Sequence, residues 1–371
     1  MNLIPLLEEM KTIGASDLHI KLGSPPIYRI DGELRRVQMP PLTTEDLDAV
    51  LNQALDGKPA ERSTFERENQ VDFAISVPKV ARFRANVHRQ RGTTAMTFRI
   101  VPYEIQGLSD LSLPPILGTL ALKPRGIILV TGTVGSGKST SLAAMIDVVN
   151  MNRNAKIITI EDPIEFLHKD KKGLIIQREV GEDTPSYSSA LKHILRQDPN
   201  VILIGEIRDM DTMAIALTAA NTGHLVLSTL HTIDAVQTVN RVVSFFPIHQ
   251  HQEVRFLLSA SLQAVISQRL VRKVDGQGRV PAVEVMVSTA AIREYISDPE
   301  KTHLIRAAIA DGVTEYSMQT FDQALMQLYK NGSITFDDAI HNSSNPTEFD
   351  LRVRGIEATS DTTWSLFEKG R

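Results

Sequence analysis

The chain has 371 residues, 42% hydrophobic and 23% charged, with a formal net charge of −4. This is ordinary globular composition; it excludes a largely disordered chain and suits two or three domains at roughly 150 residues each. There is no cysteine, which excludes disulfides, thiol catalysis and cysteine-based zinc sites.

The N-terminus, Met1-Asn2-Leu3-Ile4-Pro5 followed by Glu8 and Glu9, lacks the basic-then-apolar order of a signal peptide. No apolar run reaches the roughly 18 residues of a membrane span, so a cytoplasmic protein is expected. Residues 1–11 read as a helix, with Leu3, Leu6, Leu7 and Met10 on one face. Short strands follow at 17–20 and 27–30, the second ending at the Asp31-Gly32 turn. A helix spans 44–55, and residues 71–75, 81–90 and 93–99 alternate like strands. Residues 1–100 thus form a small α+β domain with an antiparallel sheet. Pro102, Gly107, Pro114 and Pro115 mark a linker over 101–113.

The pattern then changes. Apolar runs at 127–130, 157–160, 201–204 and 225–228, mostly separated by helical segments, indicate a parallel sheet covered on both faces. This α/β domain covers 114–345. From about Ile248 the chain reads as mainly helical, with one strand at 280–287. Residues 346–371 are polar and weakly patterned, and a flexible tail is expected there.

After the first of these runs comes Gly132-Thr133-Val134-Gly135-Ser136-Gly137-Lys138-Ser139-Thr140, which matches G-x-x-x-x-G-K-[ST] without deviation. Its glycines permit torsions that turn successive N–H groups onto phosphate oxygens. Lys138 adds charge for the β- and γ-phosphates, Ser139 a hydroxyl for Mg²⁺, and the following helix its positive end. ATP binding follows, and its hydrolysis needs carboxylates beside the loop.

Glu206 ends the apolar run at 201–204 and Gly205, which puts it on the edge of the sheet that carries the phosphate loop. It reads as the Walker-B carboxylate, activating water or linked to Mg²⁺; the alternative is a helix-terminal Glu favoured by the dipole. Glu161-Asp162-Pro163-Ile164-Glu165 follows a second strand. Carboxylates crowded at a strand end favour a nearby cation, so Glu161 and Glu165 are candidates for metal, water or ribose contacts, against a solvated acidic turn. His224 opens the strand at 225–228 and His231 follows its active end. The two are too far apart to share a metal: His231 is placed to sense the γ-phosphate, His224 to pack or bond a loop. Arg82, Arg84, Arg89, Arg91 and Arg99 form a strand-borne basic cluster, either an anion site contributing arginine fingers or a solvated face.

These motifs together resemble the type IV pilus retraction ATPases (PilT-like), within the type II/IV secretion ATPase superfamily. The resemblance runs from about Leu6 to Met326. It is carried by Gly14-Ala15-Ser16-Asp17-Leu18-His19, Arg82-Phe83-Arg84-Ala85-Asn86, the phosphate loop, Glu161-Asp162-Pro163-Ile164-Glu165, Gln177-Arg178-Glu179-Val180-Gly181, Leu195-Arg196-Gln197-Asp198-Pro199, Gly205-Glu206-Ile207-Arg208-Asp209, and Thr222-Gly223-His224 through His231-Thr232. It implies a PAS-like N-terminal domain, a RecA-like ATPase domain with a helical C-terminal part, and a homohexameric ring. It makes Glu161 and Glu165 the Asp-box carboxylates, Glu206 the Walker-B glutamate, and His224 and His231 the His box, and it places Arg84 and Arg99 on the phosphates. It further implies work at the inner face of the bacterial inner membrane, through an inner-membrane platform protein and beside other pilus motor ATPases.

Two departures stand out. Retraction ATPases usually carry A-I-R-N-L-I-R; here Ala291-Ile292-Arg293 is followed by Glu294-Tyr295-Ile296-Ser297, and Ser297 replaces the second arginine. Thr133-Val134 stands where Pro-Thr is common, a harmless change because those positions contribute backbone. The first departure leaves an accessory PilU-like paralogue as an alternative. A pilus-assembly or type II secretion ATPase is another, though many of those carry a four-cysteine zinc site. A nucleic-acid motor fits poorly with a net charge of −4 and no aromatic-basic interleaving.

Overall fold

A computed structural model describes residues 1–30, 32–102 and 104–356. The chain divides into two compact units, Met1–Glu104 with Glu165–Leu167, and Ile105–Ile164 with the residues from His168 onward. Among the described residues no helix is long and apolar enough to cross a membrane.

The first unit holds strands β1 (Asp17–Lys21), β2 (Ile27–Ile30), β3 (Glu33–Arg36), β4 (Gln70–Val77), β5 (Ala81–Gln90) and β6 (Thr93–Val101). They form one antiparallel sheet in the order β3-β2-β1-β6-β5-β4. Alternation puts Phe73, Phe83, Ala85, Val87, Met96, Phe98, Leu18 and Ile20 in one core with the apolar faces of helices Leu3–Thr12 and Thr44–Ala54. Two elements escape the pattern reading. β3 is exposed throughout, and helix Pro59–Glu68 buries only Phe65, so neither has the apolar periodicity that reveals an element in sequence.

The second unit is built on β7 (Gly126–Thr131), β8 (Lys156–Glu161), β9 (Leu174–Glu179), β10 (Val201–Ile204), β11 (Leu225–Leu230), β12 (Leu262–Arg272) and β13 (Arg279–Val287). The order is β13-β12-β7-β11-β10-β8-β9, parallel except for the antiparallel pair β12–β13. Both faces are covered. Ile128 and Val130 pack with Leu142, Met145, Ile146 and Val149 of helix Lys138–Asn152. Ile127 and Leu129 face helices Tyr187–Ile194, Met210–Asn221, Ala235–Ser244 and His251–Ser261.

Two expectations for the C-terminal part are corrected. The helical reading after Ile248 fails at β12: a helix, His251–Ser261, runs straight into an eleven-residue strand that pairs with β7 on one side and β13 on the other. Burial on both faces removes the alternation that distinguishes a strand. The tail expected from Pro346 begins instead as helix Pro346–Val353, capped by Asn345, with Phe349 buried beside Phe321, Leu325 and Ala339. Residues 357–371 of that expected tail lie outside the described residues.

Candidate active site

The parallel pairing brings the C-terminal ends of β7, β8, β10 and β11 to one edge. From β7 the chain enters the phosphate loop, where Gly132, Gly135 and Gly137 have φ of 142°, 76° and 90°, values that side chains rarely adopt. At Gly132 space is also decisive: a Cβ would lie 2.5 Å from the Gln268 carbonyl oxygen on β12 and 2.5 Å from Ser136 Oγ. Helix Lys138–Asn152 starts behind Gly137 with no side chain capping its first N–H groups, which leaves them for an anion. The buried Ser136 Oγ has no hydrogen-bond partner, and Lys138 Nζ donates to the carbonyls of Gly132 (2.9 Å) and Thr133 (2.8 Å). Thr133, Val134 and Gly135 are exposed, while Ser139 and Thr140 are half-buried at the helix start.

A nucleotide phosphate fits this cradle on those observations: uncapped N–H groups, an orphaned hydroxyl, and an ammonium that donates to loop carbonyls which phosphates can replace. Mg²⁺ fits too. It keeps several waters and needs only one or two protein ligands beside phosphate oxygens, and Ser139 at the helix start and Glu206 after β10 carry oxygen atoms of the kind it takes. Among the described residues no larger group of His, Asp and Glu gathers into a metal site.

Glu206 follows β10 and forms an ion pair with Arg208 Nε through Oε1; its Oε2 lies 3.0 Å from His231 Nε2. Arg208 Nη1 also lies 3.9 Å from Asp162, so one guanidinium spans two of the carboxylate-bearing turns. Thr229 Oγ1 donates to the Gly205 carbonyl at 2.7 Å and Ser228 Oγ to that of Ile204 at 2.8 Å. These bonds lock the approach to Glu206 onto β11. Glu161, at the end of β8, accepts from Thr159 Oγ1 (2.7 Å) and Gln177 Nε2 (3.1 Å). The Gln177 amide oxygen in turn accepts the His168 N–H at 2.9 Å. The Asp162–Pro163 peptide is cis, and Glu165 is exposed within the short segment that groups with the first unit.

The two histidines part company. His231 stands at the active edge on Glu206. His224 precedes β11 at the opposite edge, where its Nδ1 lies 3.0 Å from the Ala219 carbonyl and its own carbonyl accepts the Gly126 N–H. The length of β11, roughly 20 Å at 3.3 Å per residue, separates His224 from the phosphate loop of its own chain. In the first unit Arg84 and Arg99 stand directly opposite across β5 and β6, on the face away from Phe83, Ala85 and Phe98. Arg99 Nε donates to the buried Asp17 at 2.7 Å.

Three further polar groups had no role in the sequence reading. Gln177 braces Glu161 from β9. Tyr187 opens a helix beneath the strand edge, where burial, then Asp162, Glu206 and Glu161, push its phenol well above the ordinary range against the opposing Arg208. Glu284 on β13 is fully enclosed. It sits in a cross-strand row with Ser267 and Thr131, in which Thr131 Oγ1 donates to Ser267 Oγ at 2.9 Å. Its Oε1 accepts the Ala235 N–H at 2.9 Å, holding the start of the helix that follows the His231 loop. Burial pushes this carboxyl up to about 7; the Ala235 N–H pulls it down, Asp234 pushes it up, and Arg269 and Arg306 pull it down. Gln177 stood in a motif that carries the family resemblance, but with no role attached. Nothing in local spacing reveals the other two.

The model of the type II/IV secretion system protein family matches residues 2–334. The chain is 43% identical to the type IV pilus retraction ATPase PilT of Pseudomonas aeruginosa, over 94% of this chain and 100% of that protein. It is 41% identical to the type IV pilus ATPase PilU of the same organism, over 97% of this chain and 94% of that protein. A crystal structure of the pilus retraction motor PilT with bound ADP superposes with a TM-score of 0.86 at 44% identity, covering 94% of this chain and 98% of that one. An ADP-binding relative with a matching fold agrees with the loop geometry described above. The chain belongs to the type II/IV secretion system protein family.

Proposed function

We propose that the chain is an ATP-hydrolysing motor subunit that works as a homohexameric ring and powers type IV pilus retraction, and hence twitching motility, by coupling turnover to pilin removal. The observation that carries this reading is Glu206 braced by His231 at the strand edge that bears the phosphate loop, in a chain 43% identical over 94% of its length to a protein named for retraction. In this reading the first unit is a PAS-like domain and the second a RecA-like ATPase domain. ATP lies on residues 132–140 with Lys138 on its phosphates. Mg²⁺, held by Ser139 and Glu206, supplies positive charge against the phosphate oxygens.

Glu206 orients the attacking water and takes its proton, with Glu161 and Glu165 as supporting carboxylates and His231 fixing the Glu206 side chain. Arg84 and Arg99 serve as arginine fingers. His224 enters only through β11, the strand it precedes. The ring docks on an inner-membrane platform protein at the cytoplasmic face of the membrane, beside other pilus motor ATPases. Ser297 favours a second reading, an accessory PilU-like motor, because it removes the arginine usual in the retraction motif. Its hydroxyl bonds back to the Arg293 carbonyl at 3.0 Å. Deleting the gene tests the choice. Hyperpiliated cells that do not twitch support retraction, bald cells indicate a pilus-assembly role, and normally piliated cells with weakened twitching indicate the accessory one.

A further inference from the structure

Tyr187 is a polar group at the reaction edge that the proposed cycle does not use. It is the first residue of helix Tyr187–Ile194, behind Ser186, whose hydroxyl accepts the Ser189 N–H. Its ring packs on the apolar cluster beneath the parallel sheet. Gly205 locates its hydroxyl: a Cβ on Gly205 would meet Tyr187 Oη at 2.9 Å, the Ile160 carbonyl oxygen at 3.3 Å and Glu161 Cα at 3.4 Å. The phenol therefore fills the gap between the ends of β8 and β10, the strands that deliver Glu161 and Glu206. Gly205 is not in the left-handed region, so what the site needs there is the missing side chain.

The charges of Asp162, Glu206, Arg208 and Glu161 all act on this phenol. Among the described residues the hydroxyl has no hydrogen-bond partner. A phenol keeps its proton at neutral pH and both donates and accepts. The hydroxyl is not among the enclosed side-chain atoms that lack a partner, so water can reach it.

We propose that Tyr187 is a positioning residue for hydrolysis: its O–H donates to the attacking water, whose own protons point at Glu206 and Glu161. The water then keeps one lone pair for the γ-phosphorus. Its oxygen bonds to phosphorus, the bridging P–O bond breaks with its electron pair leaving on ADP, and the proton passes to Glu206. The inference rests on the hydrolytic reading above.

The test compares the full chain with Y187F, G205A and the double variant in steady-state ATP turnover, fluorescent mant-ADP binding and thermal unfolding. A lost hydrogen bond at a charged transition state predicts that Y187F loses roughly ten- to a hundredfold in kcat. KM for ATP, mant-ADP affinity and Tm stay at wild-type values. G205A, whose methyl group displaces the phenol, falls similarly. The double variant is no worse than Y187F within about twofold, because the two changes share one target. Wild-type turnover in Y187F overturns the proposal, as does a drop in kcat accompanied by lost mant-ADP affinity or lower Tm. A wild-type chain that binds mant-ADP but does not turn over ATP overturns the hydrolytic reading itself, a result distinguishable from either of these.

Discussion

Glu284 ties the stability of the second unit to pH in a way that can be calculated. Its carboxyl is fully enclosed and raised from 4.5 to about 7. The native state therefore holds a proton that the unfolded chain releases between those values. The stabilisation is complete below pH 4.5 and is lost as pH rises through 7. At 1.36 kcal/mol per pH unit this amounts to about 3 kcal/mol. Glu284→Gln removes the titration while keeping an oxygen that can accept the Ala235 N–H. The variant should therefore gain about 3 kcal/mol relative to wild type between pH 4.5 and 8, whatever constant offset the amide introduces. Urea unfolding of both proteins at pH 5, 6, 7 and 8, at one protein concentration because assembly also shifts stability, gives the difference directly. Parallel pH profiles would refute the argument, because they would mean that Glu284 titrates alike in folded and unfolded chains.

Other expectations concern the nucleotide. Lys138→Ala should abolish ATP turnover and reduce mant-ADP affinity without unfolding the chain, since the Lys138 ammonium donates to carbonyls of the phosphate loop itself; near-normal turnover sinks the ATPase reading. Gly132→Ala combines a φ of 142° with a Cβ 2.5 Å from a backbone oxygen. It should cost at least roughly 1–3 kcal/mol and prevent nucleotide binding, as measured by thermal unfolding with and without ADP. Arg84→Ala should lower kcat while leaving Tm unchanged. An unaltered kcat moves the finger role to another residue.

Much of the second unit was legible in the sequence because β7, β8, β10 and β11 are continuous apolar runs, each followed by polar chemistry. The phosphate loop needed no partner to be read. β12 was not legible: it is as apolar as a buried helix, and its place in the sheet depends on β7, which lies far away along the chain. Helix Pro346–Val353 owes its place to Phe349, buried in the cluster with Phe321, Leu325 and Ala339, one side chain that its polar composition hides. Tyr187 and Glu284 were illegible for the same reason. Each acquires its chemistry from strands distant in sequence, and each sits among residues that look like ordinary helix or strand. His224 shows the converse. Strand spacing alone put it at the far edge, where the structure has it, whereas motif resemblance grouped it with His231 without placing it.

The contact between Gly132 and the Gln268 carbonyl has a mechanical consequence. Gln268 also donates from its side chain to Ser141 Oγ at 2.7 Å, on the helix that leaves the loop. The nucleotide cradle is thus clamped front and back to the middle of one strut. At one end the strut continues through β13 to the Thr289-capped helix Ala290–Ser297. At the other it is fused to helix His251–Ser261, whose Arg255 grips the Ile296 carbonyl. The strut and its two terminal helices close into a continuous loop of bonded parts, so the phosphate cradle and the segment of Arg293 and Ser297 share one structural frame.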